Sequence, residues 1–95
     1  MVTGKRLGHP VRSLRTQFAR DYFNAEYSTI SDEDLENSAV GALRLAVQEG
    51  DLKKGCFLAG QCAAMVNKVE PAADIIRDVM EGCEEALKGA SAWVK

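Results

Sequence analysis

The side chains able to do chemistry are few and scattered. His9 is the only histidine, set in Gly8-His9-Pro10, and the three cysteines are Cys56, Cys62 and Cys83. Nucleophilic catalysis needs a base oriented beside a nucleophile. A single histidine between a glycine and a proline reads first as a turn residue that holds backbone. A structural zinc site needs closely spaced Cys and His ligands in a tetrahedral set, and no CxxC pair is present. Cys62 and Cys83 fall on small or apolar faces, so buried free thiols in a reducing compartment are expected there. The acids Asp32, Glu33 and Asp34 follow Ser31. A helix start accounts for them, with serine as the cap and carboxylates against the positive end of the dipole. No catalytic residue and no metal site is expected.

One feature invites a ligand. Ala59-Gly60-Gln61 lies inside the nearly continuous apolar or small run from Cys56 to Val66. A glycine in a helix interior costs about 1 kcal/mol relative to alanine, so its presence needs a reason. Close packing against another element is the commoner one. The other is that Gly60 lets backbone approach a flat ligand while Gln61 offers it a donor and an acceptor. Both readings stand on the sequence.

The elements that must position these residues follow from periodicity. Residues 1–10 carry Gly4, Gly8 and Pro10 and read as a loop with room for a short strand. Pro10 suits the first turn of a helix, and Val11, Leu14, Phe18 and Tyr22 predict an apolar stripe over 11–25. Ser31 caps a second helix whose buried face is Leu35, Ala39, Ala42, Leu43, Ala46 and Val47. Gly50 ends it in the left-handed conformation. The run 56–66 is too long for an ordinary strand and lacks alternation, so it predicts a short buried helix. Pro71 opens the last helix, with Ala72, Ile75, Ile76, Val79, Cys83, Ala86 and Leu87 on one face, and Gly89 closes it. The fold class is mostly α, about four helices, in one domain at most.

Composition narrows the partners. The 95 residues carry a net charge of −2, which argues against whole-chain attraction to nucleic acid or an anionic membrane. The charge is uneven: Lys5, Arg6, Arg12, Arg15 and Arg20 precede the first acid, Asp21. Such asymmetry fits a phosphate-binding face, a subunit contact or a solvated surface. No signal peptide is expected, and no apolar run approaches the ~20 residues of a membrane span. A soluble, cytoplasmic protein is expected.

The order of short motifs resembles one enzyme family. Val2-Thr3-Gly4-Lys5 followed by Gly8-His9-Pro10-Val11-Arg12-Ser13-Leu14 resembles a late stretch of the bacterial enoyl-acyl-carrier-protein reductases II. Gly41-Ala42-Leu43-Arg44 through Glu49-Gly50-Asp51, and Gly55-Cys56-Phe57-Leu58-Ala59-Gly60-Gln61, are similar to later segments of the same family. Pro71 and the Ile75-Ile76 helix continue the likeness, which runs from about residue 2 to 88 in consistent order. The related nitronate monooxygenases (2-nitropropane dioxygenase-like) share a comparable Ala-Gly-Gln near their ends. The "GHPVR" opening leans toward the reductase.

The resemblance implies a parent α/β enzyme, an FMN-binding TIM barrel with a C-terminal helical extension. It would take hydride from NAD(P)H and reduce a 2-enoyl thioester carried on acyl carrier protein, in fatty-acid synthesis. Residues 1–95 correspond to the C-terminal helical portion, with the barrel core absent, because a barrel needs about 250 residues. The segment alone is therefore expected to be inactive. Carried over residue by residue, Ala59, Gly60 and Gln61 become cofactor-binding candidates in the wall of the flavin site. Leu58 departs from the methionine usual there, and Cys62 from the usual apolar or small residue. The family's histidine beside the flavin lies upstream of everything matched, so His9 does not correspond to it. A homodimer is compatible with the resemblance. A non-enzymatic helical interaction module is the alternative, and the all-round apolar run 56–66 speaks against it.

Overall fold

A computed structural model describes residues 1–95. The chain is mostly helical with one small sheet, and it divides into two units, Met1–Met65 and Val66–Lys95.

The first unit begins as a hairpin. β1 (Val2–Thr3) pairs antiparallel with β2 (Val11–Arg12), Val2 opposite Arg12 and Thr3 opposite Val11. The connection is closed by Gly8 N–H donating to the Lys5 carbonyl at 3.1 Å and His9 N–H to the Gly4 carbonyl at 2.9 Å. Gly4 has φ +85°, and a Cβ there would collide with the His9 carbonyl. Only glycine closes this turn without strain.

Helix α1 (Gln17–Glu26) is shorter than the sequence predicts. Thr16 is its cap, with Oγ1 accepting from Ala19 N–H at 3.3 Å. Val11 and Leu14 share the helical spacing of Phe18 and Tyr22, yet they are exposed and extended. Non-local pairing decides their state, Val11 with β1 and Leu14 with Phe57, which a local period cannot register.

The element expected after Ser31 is broken in the middle. Ser31 Oγ accepts from Asp34 N–H at 3.1 Å and starts α2 (Asp32–Ser38). Ser38 Oγ then bonds back to the Leu35 carbonyl at 2.6 Å, and Gly41 takes φ +77°. The chain re-enters a helix as α3 (Ala42–Arg44), which widens into a π-helical turn over Leu45–Glu49. Gly50 ends it in the left-handed region at φ +62°, as expected. Leu35, Ala42 and Ala46 are buried with Ala19 and Tyr22, and these five form the apolar core. Leu43 and Val47, expected on the buried face, are exposed.

The largest correction falls on 56–66. Residues 56–59 are extended and bonded to distant backbone. Cys56 N–H donates to the Ala42 carbonyl at 2.9 Å, and Leu14 N–H to the Phe57 carbonyl at 2.8 Å. Leu58 forms an antiparallel bridge with Ser13. A 3₁₀ turn follows over Gln61–Met65, with no buried residue. Gly60 thus precedes a short turn and is not interior to a helix.

In the second unit Pro71 stands at the N-cap of α4 (Ala72–Ser91). Asp74–Arg77 at 3.0 Å and Glu84–Lys88 at 3.3 Å are ion pairs one turn apart. Gly89 does not close the helix, which continues to Ser91, and α4 has no buried residue.

Candidate functional site

Two segments distant in sequence meet beside the hairpin. β2 continues through Ser13 and Leu14, and residues 57–59 run against it. Ala59 N–H donates to the Arg12 carbonyl at 3.0 Å. The Arg12 side chain answers: Nη1 donates to the Ala59 carbonyl at 3.1 Å and also to the Gly60 carbonyl. The structure therefore joins the Gly8–Leu14 stretch directly to Ala59-Gly60-Gln61.

A cleft of about 390 Å³ opens at this junction, lined by Arg12, Ser13, Arg15, Ala59, Gln61 and Ala64 among others. Two arginines line it and no carboxylate does, so its character is basic. Ser13 is 3% exposed and its Oγ has no hydrogen-bond partner. Gln61 is exposed, leaving its amide free to donate and accept. At Gly60 an added Cβ would meet no atom within 4 Å, and φ is not positive. Neither packing nor backbone geometry inside this chain requires glycine there.

A second cavity of about 210 Å³ gathers groups that sequence reasoning left apart. Thr3, His9, Val11, Tyr22, Leu43 and Cys56 are among its lining residues. Burial raises the Cys56 thiol above its ordinary value. The Tyr22 hydroxyl is raised too, first by burial and then by the charges of Glu26 and Glu36. Near neutral pH both acids hold their protons, and a protonated thiol is a poor nucleophile. His9 is exposed in the hairpin connection, where its backbone does the bonding.

The cysteine expectation is corrected. Cys62 and Cys83 are exposed and Cys56 is half-buried. Cys62 leaves the interior because 61–65 is a surface 3₁₀ turn, and Cys83 because α4 buries no residue. Asp32 does more than cap: Oδ1 accepts from Arg6 Nε at 2.8 Å. The Arg6 guanidinium also reaches the carbonyls of Glu26, Ser28 and Ile30, tying the α1–α2 link to the hairpin connection. No three His, Cys, Asp or Glu side chains are grouped to hold a metal ion, and no helix is long and apolar enough to cross a membrane.

Sequence reasoning missed Arg12 and Ser13. An arginine that bonds two carbonyls 47 and 48 residues away leaves no local pattern.

Comparison with known proteins finds likeness among solved structures alone. No family model matches the sequence, and no curated protein does. Among solved structures, FabK from Thermotoga maritima matches with 38% identity and a TM-score of 0.82. That match covers 99% of this chain and 30% of that one. The M276A mutant of the same protein matches at 35% identity and a TM-score of 0.71, covering 99% of this chain and 27% of the other. The chain thus spans less than a third of the length of the proteins it matches.

Proposed function

We propose, from the premise that this chain is a FabK-like C-terminal segment, that it forms part of the flavin-site wall of an enoyl-acyl-carrier-protein reductase. The enzyme would use FMN and NAD(P)H to reduce a 2-enoyl thioester carried on acyl carrier protein. Bound FMN supplies the ring that relays hydride, a task that falls to the cofactor and not to side chains. This chain contributes Ala59, Gly60 and Gln61. Ala59 and Gly60 carry no side chain beyond a methyl group, so a ring can approach their backbone, and the Gln61 amide can bond an edge of the ring.

The observation that carries this reading is the open space at Gly60. No atom of this chain crowds the position, so the backbone there stands open to a body outside the chain. The residues fit a wall that touches the ring. They supply no phosphate-cradling loop, and the 95-residue chain alone is expected to retain no FMN. Both matched structures carry the FabK name, which favours the reductase over the nitronate monooxygenase reading.

The test is to exchange this segment for the matching stretch of Thermotoga maritima FabK. Flavin content, reduction of a 2-enoyl thioester and oxidation of a nitronate are then measured. The chimera should hold FMN and reduce the thioester. Gln61→Ala should weaken flavin binding or slow turnover roughly 2- to 13-fold, as expected for one hydrogen bond of about 0.5–1.5 kcal/mol. Gly60→Val should act in the same direction, with apo-protein stability nearly unchanged. If both variants bind FMN and turn over like the parent chimera, the three residues are not part of the site. Nitronate oxidation without enoyl reduction would transfer the segment to the monooxygenase reading.

A further inference from the structure

The Arg12 guanidinium makes an uncommon contact. One nitrogen faces the carbonyls of two consecutive residues, Ala59 and Gly60. In an extended strand successive residues face opposite sides. Two adjacent carbonyls turned to one cation therefore mark the point where the strand-like run 56–59 gives way to the 3₁₀ turn. The backbone bonds that hold the run end at Ala59 N–H. Beyond it, the Gly60 carbonyl meets Ala63 N–H at 3.2 Å and the Arg12 side chain. Arg12 takes part in no ion pair, so no carboxylate competes for its donors.

Planar trans peptides carry the consequence to the other side. Every peptide bond here is trans, and in a trans peptide the N–H points opposite to the C=O. With the carbonyls of residues 59 and 60 turned toward the guanidinium, the N–H groups of Gly60 and Gln61 turn away from it. Neither N–H donates to an acceptor within the chain. A cation on the carbonyl side also polarises each peptide and strengthens its N–H as a donor.

We propose that Arg12 is a positioning residue. Its guanidinium fixes the direction of the two peptides that flank Gly60, and so sets the face that Gly60 and Gln61 present to a ligand. The effect on flavin rests on the wall reading above; the effect on the peptides does not. Arginine suits the task because its planar fork presents several donors in fixed geometry, whereas lysine is a flexible point charge.

The experiment has two arms. In the 95-residue chain, carbonyl carbon and amide nitrogen shifts of residues 59–61 are compared for the parent, Arg12→Lys and Arg12→Ala. Thermal midpoints are recorded to confirm folding. Both variants should move the Ala59 and Gly60 carbonyl signals, alanine more than lysine. Unmoved signals in the folded lysine variant overturn the proposal, even if the alanine variant fails to fold. In the chimera with Thermotoga maritima FabK, Arg12→Ala should weaken FMN binding about 2- to 13-fold, up to the loss of the single hydrogen bond that it positions. It should also shift the bound flavin's visible band, and Arg12→Lys should restore part of the loss. If Gln61→Ala weakens flavin binding and Arg12→Ala leaves affinity and band unchanged, the positioning role is overturned and the wall reading survives. If neither variant has an effect, the wall reading fails, and Arg12's effect on the ligand fails with it.

Discussion

Ser13 shows how a single residue can be fully bonded through its backbone and unbonded through its side chain. Its backbone is fully used: N–H donates to the Met1 carbonyl at 2.9 Å, and its own carbonyl accepts from the Met1 nitrogen at 2.7 Å. Its hydroxyl, buried without a partner, gains nothing in the folded state and lost its bonds to water on the way there. An unsatisfied buried polar group of this kind costs about 1–3 kcal/mol. Ser13→Ala should therefore leave the chain as stable or stabilise it by roughly 1 kcal/mol, read as a higher urea midpoint with an unchanged slope. A fall of that size would mean that Oγ has an acceptor or donor after all. Arg12, one residue earlier, uses both parts, with its carbonyl accepting from Ala59 N–H and its side chain on two carbonyls.

Among the elements, those specified by their own residues were legible and those specified by distant partners were not. Ser31 with its acids, Gly50 in the left-handed region and Pro71 at the start of α4 act within one turn of chain, and each stands where the sequence placed it. The run 56–66 is bonded to residues 12, 14 and 42, and its apolar residues gave no sign of that pairing. Gly41 sits within an apolar helical period that does not signal a break, yet its positive φ divides the second helix. For the site, Ala59-Gly60-Gln61 came from resemblance and a misplaced glycine, while the arginine that grips it was invisible. Gly55 tests this division. A Cβ there would collide with the Asp51 carbonyl and lie 3.0 Å from both Ala46 Cα and the Phe57 ring. The ring can shift, but the backbone cannot, so Gly55→Ala should cost roughly 1–3 kcal/mol through overpacking. Gly82, inside α4 with no atom within 4 Å of such a Cβ, should behave oppositely. Gly82→Ala should gain up to about 1 kcal/mol of helix stability. Denaturation curves for the two variants, followed by far-ultraviolet dichroism, check both signs. Equal effects would contradict the packing described around Gly55.

At the scale of the molecule, stability is concentrated in a small part of the chain. Five apolar residues of the first unit are buried, and Leu35 is fully enclosed. In the second unit Ile75, Ile76, Val79, Met80 and Leu87 lie along α4 with 47–69% of their surface exposed. A helix without a buried face depends on propensity, its two ion pairs and its dipole, and lacks the tertiary packing that supplies most helical stability in proteins. Surface ion pairs of this kind add only about 0.3–0.5 kcal/mol each. Hydrogen exchange on the 95-residue chain should therefore protect amides around Leu35 and Ala46 far more than those between Ile75 and Ala86. Heating at low concentration should give a broad loss of helix signal from α4 beside a sharper transition of the first unit. Raising the concentration should sharpen and delay the α4 loss, because exposed apolar stripes bury surface by association. A single sharp transition, independent of concentration in a confirmed monomer and including the α4 amides, would show that the helix has found its cover within the chain.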